Sequence, residues 1–304
     1  MRIEPHRRLS PNNNLDQIDE AARLFVPGVK HFDADGLNRW LQENASRDIN
    51  IDLLFHKYPR WFKRQQQKSP ILLKPFKKNN RRSEDPGDYC QQHLKDICAL
   101  SSEEPSDYHF LKQRYFWDMS YSFTLKTASR LLVGFSGGDH VFETSLTLHP
   151  LYGFPVIPGS SLKGVALHYC RDIGVSPDER MAIFGKDPDS KDPEDPQGEV
   201  VCMDAWPEQW PAGDKDPILE LDVMTPHYHK YYGNPKHPPP SDDQQPNPVL
   251  FLAVAANVEF RFCLRPSRIC RNPKIVEKAL AHLRVALREH GVGAKTGSSY
   301  GYFK

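Results

Sequence analysis

The residues best suited to chemistry lie at the end of the chain, where residues 291–302 read Gly-Val-Gly-Ala-Lys-Thr-Gly-Ser-Ser-Tyr-Gly-Tyr. Four glycines, one lysine, three hydroxyls and two tyrosines share this dozen positions. Glycine lets the backbone take positive φ and come close to a ligand, so that consecutive N–H groups converge on one anion. Lys295, Thr296, Ser298 and Ser299 add donors suited to phosphate oxygens. The expected contacts are therefore Gly291, Gly293, Lys295, Thr296, Gly297, Ser298, Ser299 and Tyr300, presented to a phosphate backbone. The bland alternative is a tail without function, against which Tyr300, Tyr302 and Phe303 suggest a final strand that ties the end down.

A mononucleotide P-loop is a poor match. That motif has glycine immediately before its lysine and opens a helix, whereas Ala294 precedes Lys295 and the glycines follow a helical segment that ends at His290. A second anion-suited stretch lies at residues 154–167. Pro158-Gly159 is a turn, Ser160 is the expected N-cap, and Leu162, Val165, Ala166 and Tyr169 have helical spacing. Ser160, Ser161 and Lys163 then fall in a first turn, where free N–H groups and the dipole attract phosphate. The alternative is an ordinary capped helix with a solvated lysine.

These residues resemble a family. Pro158 to Gly164 is similar to the opening helix of the RAMP superfamily of CRISPR RNA-binding proteins, and Gly291 to Gly301 is similar to its C-terminal glycine-rich loop. Leu221 to Tyr228, with Pro248 to Val254, resembles the sixth-subunit family of the Cmr (type III-B) effector complex. The resemblance covers residues 118–304. It implies a non-catalytic RNA-binding subunit of a type III-B ribonucleoprotein that contacts the 3′ region of the crRNA and its target duplex. Such a subunit caps the filament of backbone subunits, and its partners are crRNA, target RNA and other Cmr subunits.

The elements that must position these groups follow from patterning. The chain has 304 residues, room for one large or two ordinary domains with a real core. Its 40 basic and 39 acidic residues nearly cancel, so any nucleic-acid surface must come from local clustering. No apolar run is long enough to span a membrane and the start lacks a secretory segment, so a cytoplasmic location is expected. The six cysteines form no C-x-x-C pair, which points to reduced thiols; Cys90, His93 and Cys98 match no common zinc spacing. No cofactor and no metal are expected.

Residues 1–117 are expected to form a helical region packing on the core, with helices over 15–25 and 35–45. Residues 57–82 hold ten lysines and arginines and no acid, interleaved with Tyr58, Trp61, Phe62 and Phe76. Such a block suits a single strand as well as it suits a solvated face. A domain is expected over 118–304, and from Met119 the period changes to two. Tyr121, Phe123 and Leu125 alternate with polar residues, a second strand is expected near Phe142, and Val258, Phe260, Phe262 and Leu264 alternate most cleanly. Further strands are expected over 199–204 and 218–224. A helix after Asn272-Pro273 carries the stripe Ile275, Val276, Ala279, Leu280, Leu283, Ala286, Leu287. Insertions are expected near 186–198 and 234–248. The order predicts an α+β, ferredoxin-like (RRM-like) antiparallel sheet with both helices on one face.

The rival function is a metal-independent endoribonuclease. It needs a base for the 2′-hydroxyl and a cation at the phosphorane, for which His227, His229 and Lys230 beside Tyr228 and Tyr231 are the candidates. No catalytic residue is assigned on the first reading.

Overall fold

The structure, a computed structural model, describes residues 50–56, 61–62, 71–72, 86–105, 107–135, 144–185, 197–210, 216–225 and 248–304. The expected helices over 15–25 and 35–45, the strand near Phe142, His227, His229 and nearly all of 57–82 lie outside them. The chain divides into two compact units, residues 1–48 with 59–93, and residues 49–58 with 94–304.

In chain order the described elements begin with α1 (Ile51–His56), then β1 (Trp61–Phe62) and β2 (Ile71–Leu72), which pair antiparallel within the first unit. Next come α2 (Pro86–Leu100), α3 (Tyr108–Tyr115), β3 (Ser122–Lys126), α4 (Gly159–Asp172) and α5 (Pro177–Phe184). Then follow β4 (Val200–Cys202), β5 (Trp206–Pro207), β6 (Leu219–Met224), β7 (Val249–Val254), β8 (Glu259–Pro266) and α6 (Lys274–Glu289). A single 3-10 turn, Thr296–Ser298, sits in the glycine-rich end.

The strand with the strongest alternation, β8, is central. It pairs antiparallel with β3 on one side (Phe123 opposite Phe262) and with β4 and β5 on the other (Cys202 opposite Leu264, Trp206 opposite Arg261). Beyond β3 the chain end bridges Phe303 to Thr127, and Lys126 and Lys304 exchange backbone hydrogen bonds of 3.3 and 2.9 Å. The expected final strand is thus present as a bridge at the sheet edge. From that edge inward the order is residues 302–304, β3, β8, then β4 with β5.

Alternation along β8 decides what covers each face. Phe260 and Phe262 point one way with Phe123 and Phe303, the Phe123 and Phe262 rings stacking at 5.1 Å. Arg284 of α6 lies 4.8 Å from the Phe123 ring, which places α6 over this face. α4 and α6 pack on each other, and both also touch β4. Cys263 points the other way into a cluster with Tyr108, Phe116, Phe154, Val156 and Trp206. Both faces are therefore covered, and each full side-chain burial contributes about 1.5–3 kcal/mol.

The α6 stripe behaves as its spacing requires: Val276, Ala279, Leu283, Ala286 and Leu287 are buried. From residue 118 on, α5, β5 and β7 were not anticipated, and β1 and β2 put strands into the N-terminal region read as helical. α5 is capped by Ser176, whose hydroxyl accepts from the Glu179 N–H. β7, Val-Leu-Phe-Leu-Ala-Val, is buried at every position and pairs with β6 as a separate hairpin. A continuous apolar run has no period of two to betray a strand buried on both faces.

Candidate nucleic-acid interface

The glycine-rich end is held in place by its own backbone. Gly291, Gly293 and Gly301 have φ of 71°, 96° and 78°, and the non-glycine residues Lys295 and Ser299 also sit at 60° and 67°. Five left-handed positions in eleven residues make a chain that doubles back on itself. Val292 N–H donates to Gly301 O (2.9 Å), Gly301 N–H to Arg130 O (2.7 Å) and Ala294 N–H to Leu132 O (2.7 Å). Close approach explains the glycines: a Cβ at Gly293 would lie 2.2 Å from Leu132 O, and one at Gly301 would lie 2.1 Å from Val292 O. At Gly293 the space a Cβ would take is filled by the chain itself, and its φ of 96° is the positive value that the sequence reading allowed for. At Gly297 a Cβ would meet nothing within 4 Å.

The loop is also pinned by side chains. Tyr300 Oη donates to Asp222 Oδ2 at 2.6 Å, the oxygen that Arg130 Nη1 also reaches at 3.0 Å. Arg130 Nε completes the link to Glu220 Oε1 at 2.9 Å. The Glu220 hydrogen bond is the main reason that the Arg130 pKa is raised, while burial and then the Asp222 bond raise that of Tyr300. Ala294 and Tyr300 pack against the small cluster of Leu132, Phe251 and Ala253. What faces outward is the stretch Gly293, Lys295, Gly297, Ser298 and Ser299, all exposed, with Thr296 half-buried. Lys295 Nζ rests 5.4 Å from the Phe135 ring centre, a placement that leaves its charge available to an oxyanion. One cation, three hydroxyls and an open 3-10 turn on a rigid base can bind phosphates by charge-assisted hydrogen bonds.

The second stretch is arranged differently from its sequence reading. Pro158, and not Ser160, is the N-cap of α4, and Ser160 is an exposed residue of the first turn. The Gly159 N–H is already taken by Asp204 Oδ1 at 2.7 Å, and the Asp204 N–H in turn donates to Tyr115 Oη at 3.0 Å. Gly159 is required sterically, since a Cβ there would lie 2.1 Å from Cys202 O. Ser161 and Lys163 are half-buried on the same turn, and the Lys163 charge reaches the Cys202 thiol, which burial pushes up to about 12. Each stretch has its own neighbours: the first turn of α4 rests on β4, and the loop rests on residues 130–135 and the β6–β7 hairpin.

A family model described as the RAMP superfamily matches residues 124–304, the span from β3 through the glycine-rich end. The chain belongs to the RAMP superfamily. It is 36% identical to the CRISPR system Cmr subunit Cmr6 of Pyrococcus furiosus, over 58% of this chain and 65% of that protein. It is 27% identical to the CRISPR system CMR subunit Cmr6 of Saccharolobus solfataricus, over 60% of this chain and 56% of that protein. The matches thus span less than two thirds of the length of these curated relatives. In fold this RAMP protein is similar to a chain in the cryo-EM structure of the type III-B Cmr-beta bound to cognate target RNA. The TM-score is 0.55, with 20% identity, over 88% of this chain and 93% of that one.

Sequence reasoning missed Arg130, Glu220, Leu132 and Phe135 as parts of the loop's base. The β6 alternation of Glu220 and Asp222 with apolar residues was visible, but only the fold brings Arg130 onto them. Among the described residues no helix is long and apolar enough to cross a membrane.

Proposed function

We propose that this chain is a non-catalytic, cytoplasmic RNA-binding subunit of a type III-B Cmr effector ribonucleoprotein, contacting the 3′ region of the crRNA and its target duplex and capping the filament of backbone subunits. The observation that carries this reading is the run 293–299, whose exposed Lys295, Ser298 and Ser299 and half-buried Thr296 offer one cation and three hydroxyls on a base fixed by Leu132, Arg130 and Asp222. Ser160, Ser161 and Lys163 form a second phosphate contact. Contacts of this kind engage backbone phosphates and 2′-hydroxyls, so binding is independent of spacer sequence. The kinship with curated Cmr6 proteins supports the same assignment.

The architecture belongs to the proposal as a ferredoxin-like domain. Its support is the edge-to-edge order of residues 302–304, β3, β8 and β4, with α4 and α6 packed together on the sheet. The β6–β7 hairpin is then an insertion between the second and third strands of that pattern. Residues 1–117 are the elaborating N-terminal region, with insertions near 186–198 and 234–248.

Crosslinking in the assembled complex tests the function. With photoreactive nucleotides along crRNA and target, adducts are expected at residues 160–163 and 293–300 near the crRNA 3′ region. Adducts confined to the 5′ tag, or none on this chain, would overturn the placement.

A further inference from the structure

We propose that His168, Asp172 and His290 form a divalent-metal site, for which zinc is the best-matched ion, clamping α4 to the end of α6. The residues come from two helices. His168 and Asp172 are four apart on α4, which sets both on one face of a helix. His290 is the C-cap of α6. The His168 and His290 Nδ1 atoms lie 3.1 Å apart, His168 Nδ1 lies 3.4 Å from Asp172 Oδ2, and His290 Nε2 lies 3.6 Å from the same oxygen. One ligand atom from each residue falls within 4.8 Å of those of the other two.

One imidazole gives an ion a single nitrogen, so the separations that count are those of His168 Nδ1 from His290 Nδ1 and from Asp172 Oδ2, 3.1 and 3.4 Å, with one ligand atom of each residue within 4.8 Å of the others. With metal–ligand bonds of about 2.0–2.1 Å, neighbouring ligand atoms of a tetrahedron stand about 3.3 Å apart. Imidazole nitrogen with carboxylate oxygen is a donor set that favours zinc over magnesium or calcium. The side chains of His168 and Asp172 are 65% and 51% exposed, and that of His290 is 24% exposed, so the fourth position opens to water. The Tyr169 ring, 5.5 Å from that of His290, walls one side. Bound metal would fix the root of the glycine-rich loop, because Gly291 follows His290 directly with φ of 71°. The site is independent of the RNA-binding reading and stands or falls without it.

The test is titration of the full chain, stripped by chelator, with Zn²⁺ by calorimetry and with Co²⁺ by absorption. One ion per chain is expected, with a cobalt spectrum of nitrogen and oxygen ligands and a melting temperature that rises with Zn²⁺. His168→Gln, Asp172→Asn and His290→Gln should each weaken binding at least about tenfold, since even outer-shell partners of metal ligands are worth that much. Chelated wild type and chelated variants should melt alike at His168 and Asp172, which are exposed. Three results would each overturn the proposal: wild type that takes up no Zn²⁺ at micromolar protein, a triple variant that binds as wild type does, or a thiolate-to-cobalt charge-transfer band that moves the ion to cysteine.

Discussion

Tyr300 in the glycine-rich end and Asp222 in β6 are seventy-eight positions apart and share a 2.6 Å hydrogen bond. Arg130 reaches the same carboxylate oxygen at 3.0 Å, so three distant segments converge on one group. The loop's conformation is thereby coupled to the β6–β7 hairpin. Tyr300→Phe removes one donor while keeping the ring against Phe251. It should cost about 1 kcal/mol, the net worth of a typical intramolecular hydrogen bond, since Arg130 still pairs with the Asp222 carboxylate. Combined with Asp222→Asn, a double-mutant cycle on melting should give a coupling energy of at least about 0.5 kcal/mol. Additive effects would show that the bond contributes nothing.

Two glycines of α4 should respond oppositely to the same change. Gly159→Ala drives a Cβ to 2.1 Å from Cys202 O, a backbone atom that moves only if β4 moves, so the melting temperature should fall clearly. Gly164→Ala enters open space in the helix interior and should stabilise by up to about 1 kcal/mol through helix propensity. If both variants destabilised alike, the β4 contact would not be the reason for Gly159.

Acid should loosen the face opposite the helices. Glu208 is bound by Arg261 Nε at 2.5 Å and by Lys112 Nζ at 3.3 Å. Burial alone would raise its pKa, but these two cations outweigh burial and hold the carboxyl below its ordinary value. A depressed folded pKa means stability that is complete above the unfolded value, about 4.3, and is lost as pH falls through the folded one. Glu208→Gln should therefore lower stability at pH 7 by on the order of 1 kcal/mol and flatten its decline below about pH 4.5. Thermal melts across pH 3–7 read this directly, and parallel curves for the two proteins would refute it.

What the sequence revealed follows from which forces are local. Alternation exposed β3 and β8 because each strand has one polar period, and the Val276–Leu287 stripe exposed α6. β7 gave no alternation, and α5 carries only a short pattern after a proline. The anion-suited residues were legible as types, since glycine, lysine and hydroxyl chemistry needs no fold. Their neighbours were not: Leu132 O against Gly293 and Arg130 against Asp222 are contacts made by closure over long separations. The same holds for Gly159, which reads as a turn residue and proves to be a packing residue against β4.

Lys163 should act on RNA as a point charge. It is half-buried on the first turn of α4, beside exposed Ser160. Lys163→Ala should weaken RNA binding by about 1 kcal/mol or more, equally for unrelated spacer sequences, and reduce the salt slope by about one. An unchanged slope would remove Lys163 from the phosphate contacts.

The sharpest separation of architecture from binding lies within the loop itself. Gly293 holds φ of 96° against Leu132 O, so Gly293→Val meets both a forbidden conformation and a backbone atom at 2.2 Å, and it should lower the melting temperature. Gly297 lies in the exposed 3-10 turn with nothing within 4 Å of a Cβ, so Gly297→Val should melt as wild type does. If RNA lies across this turn, the added isopropyl group stands where the phosphate backbone must pass. Binding should then fall more for Gly297→Val than for Ser298→Ala, which removes a single donor. Filter binding on the folded Gly297→Val protein decides the matter: an affinity equal to wild type would mean that RNA does not approach this turn and that the loop serves only to seat Tyr300 and Phe303.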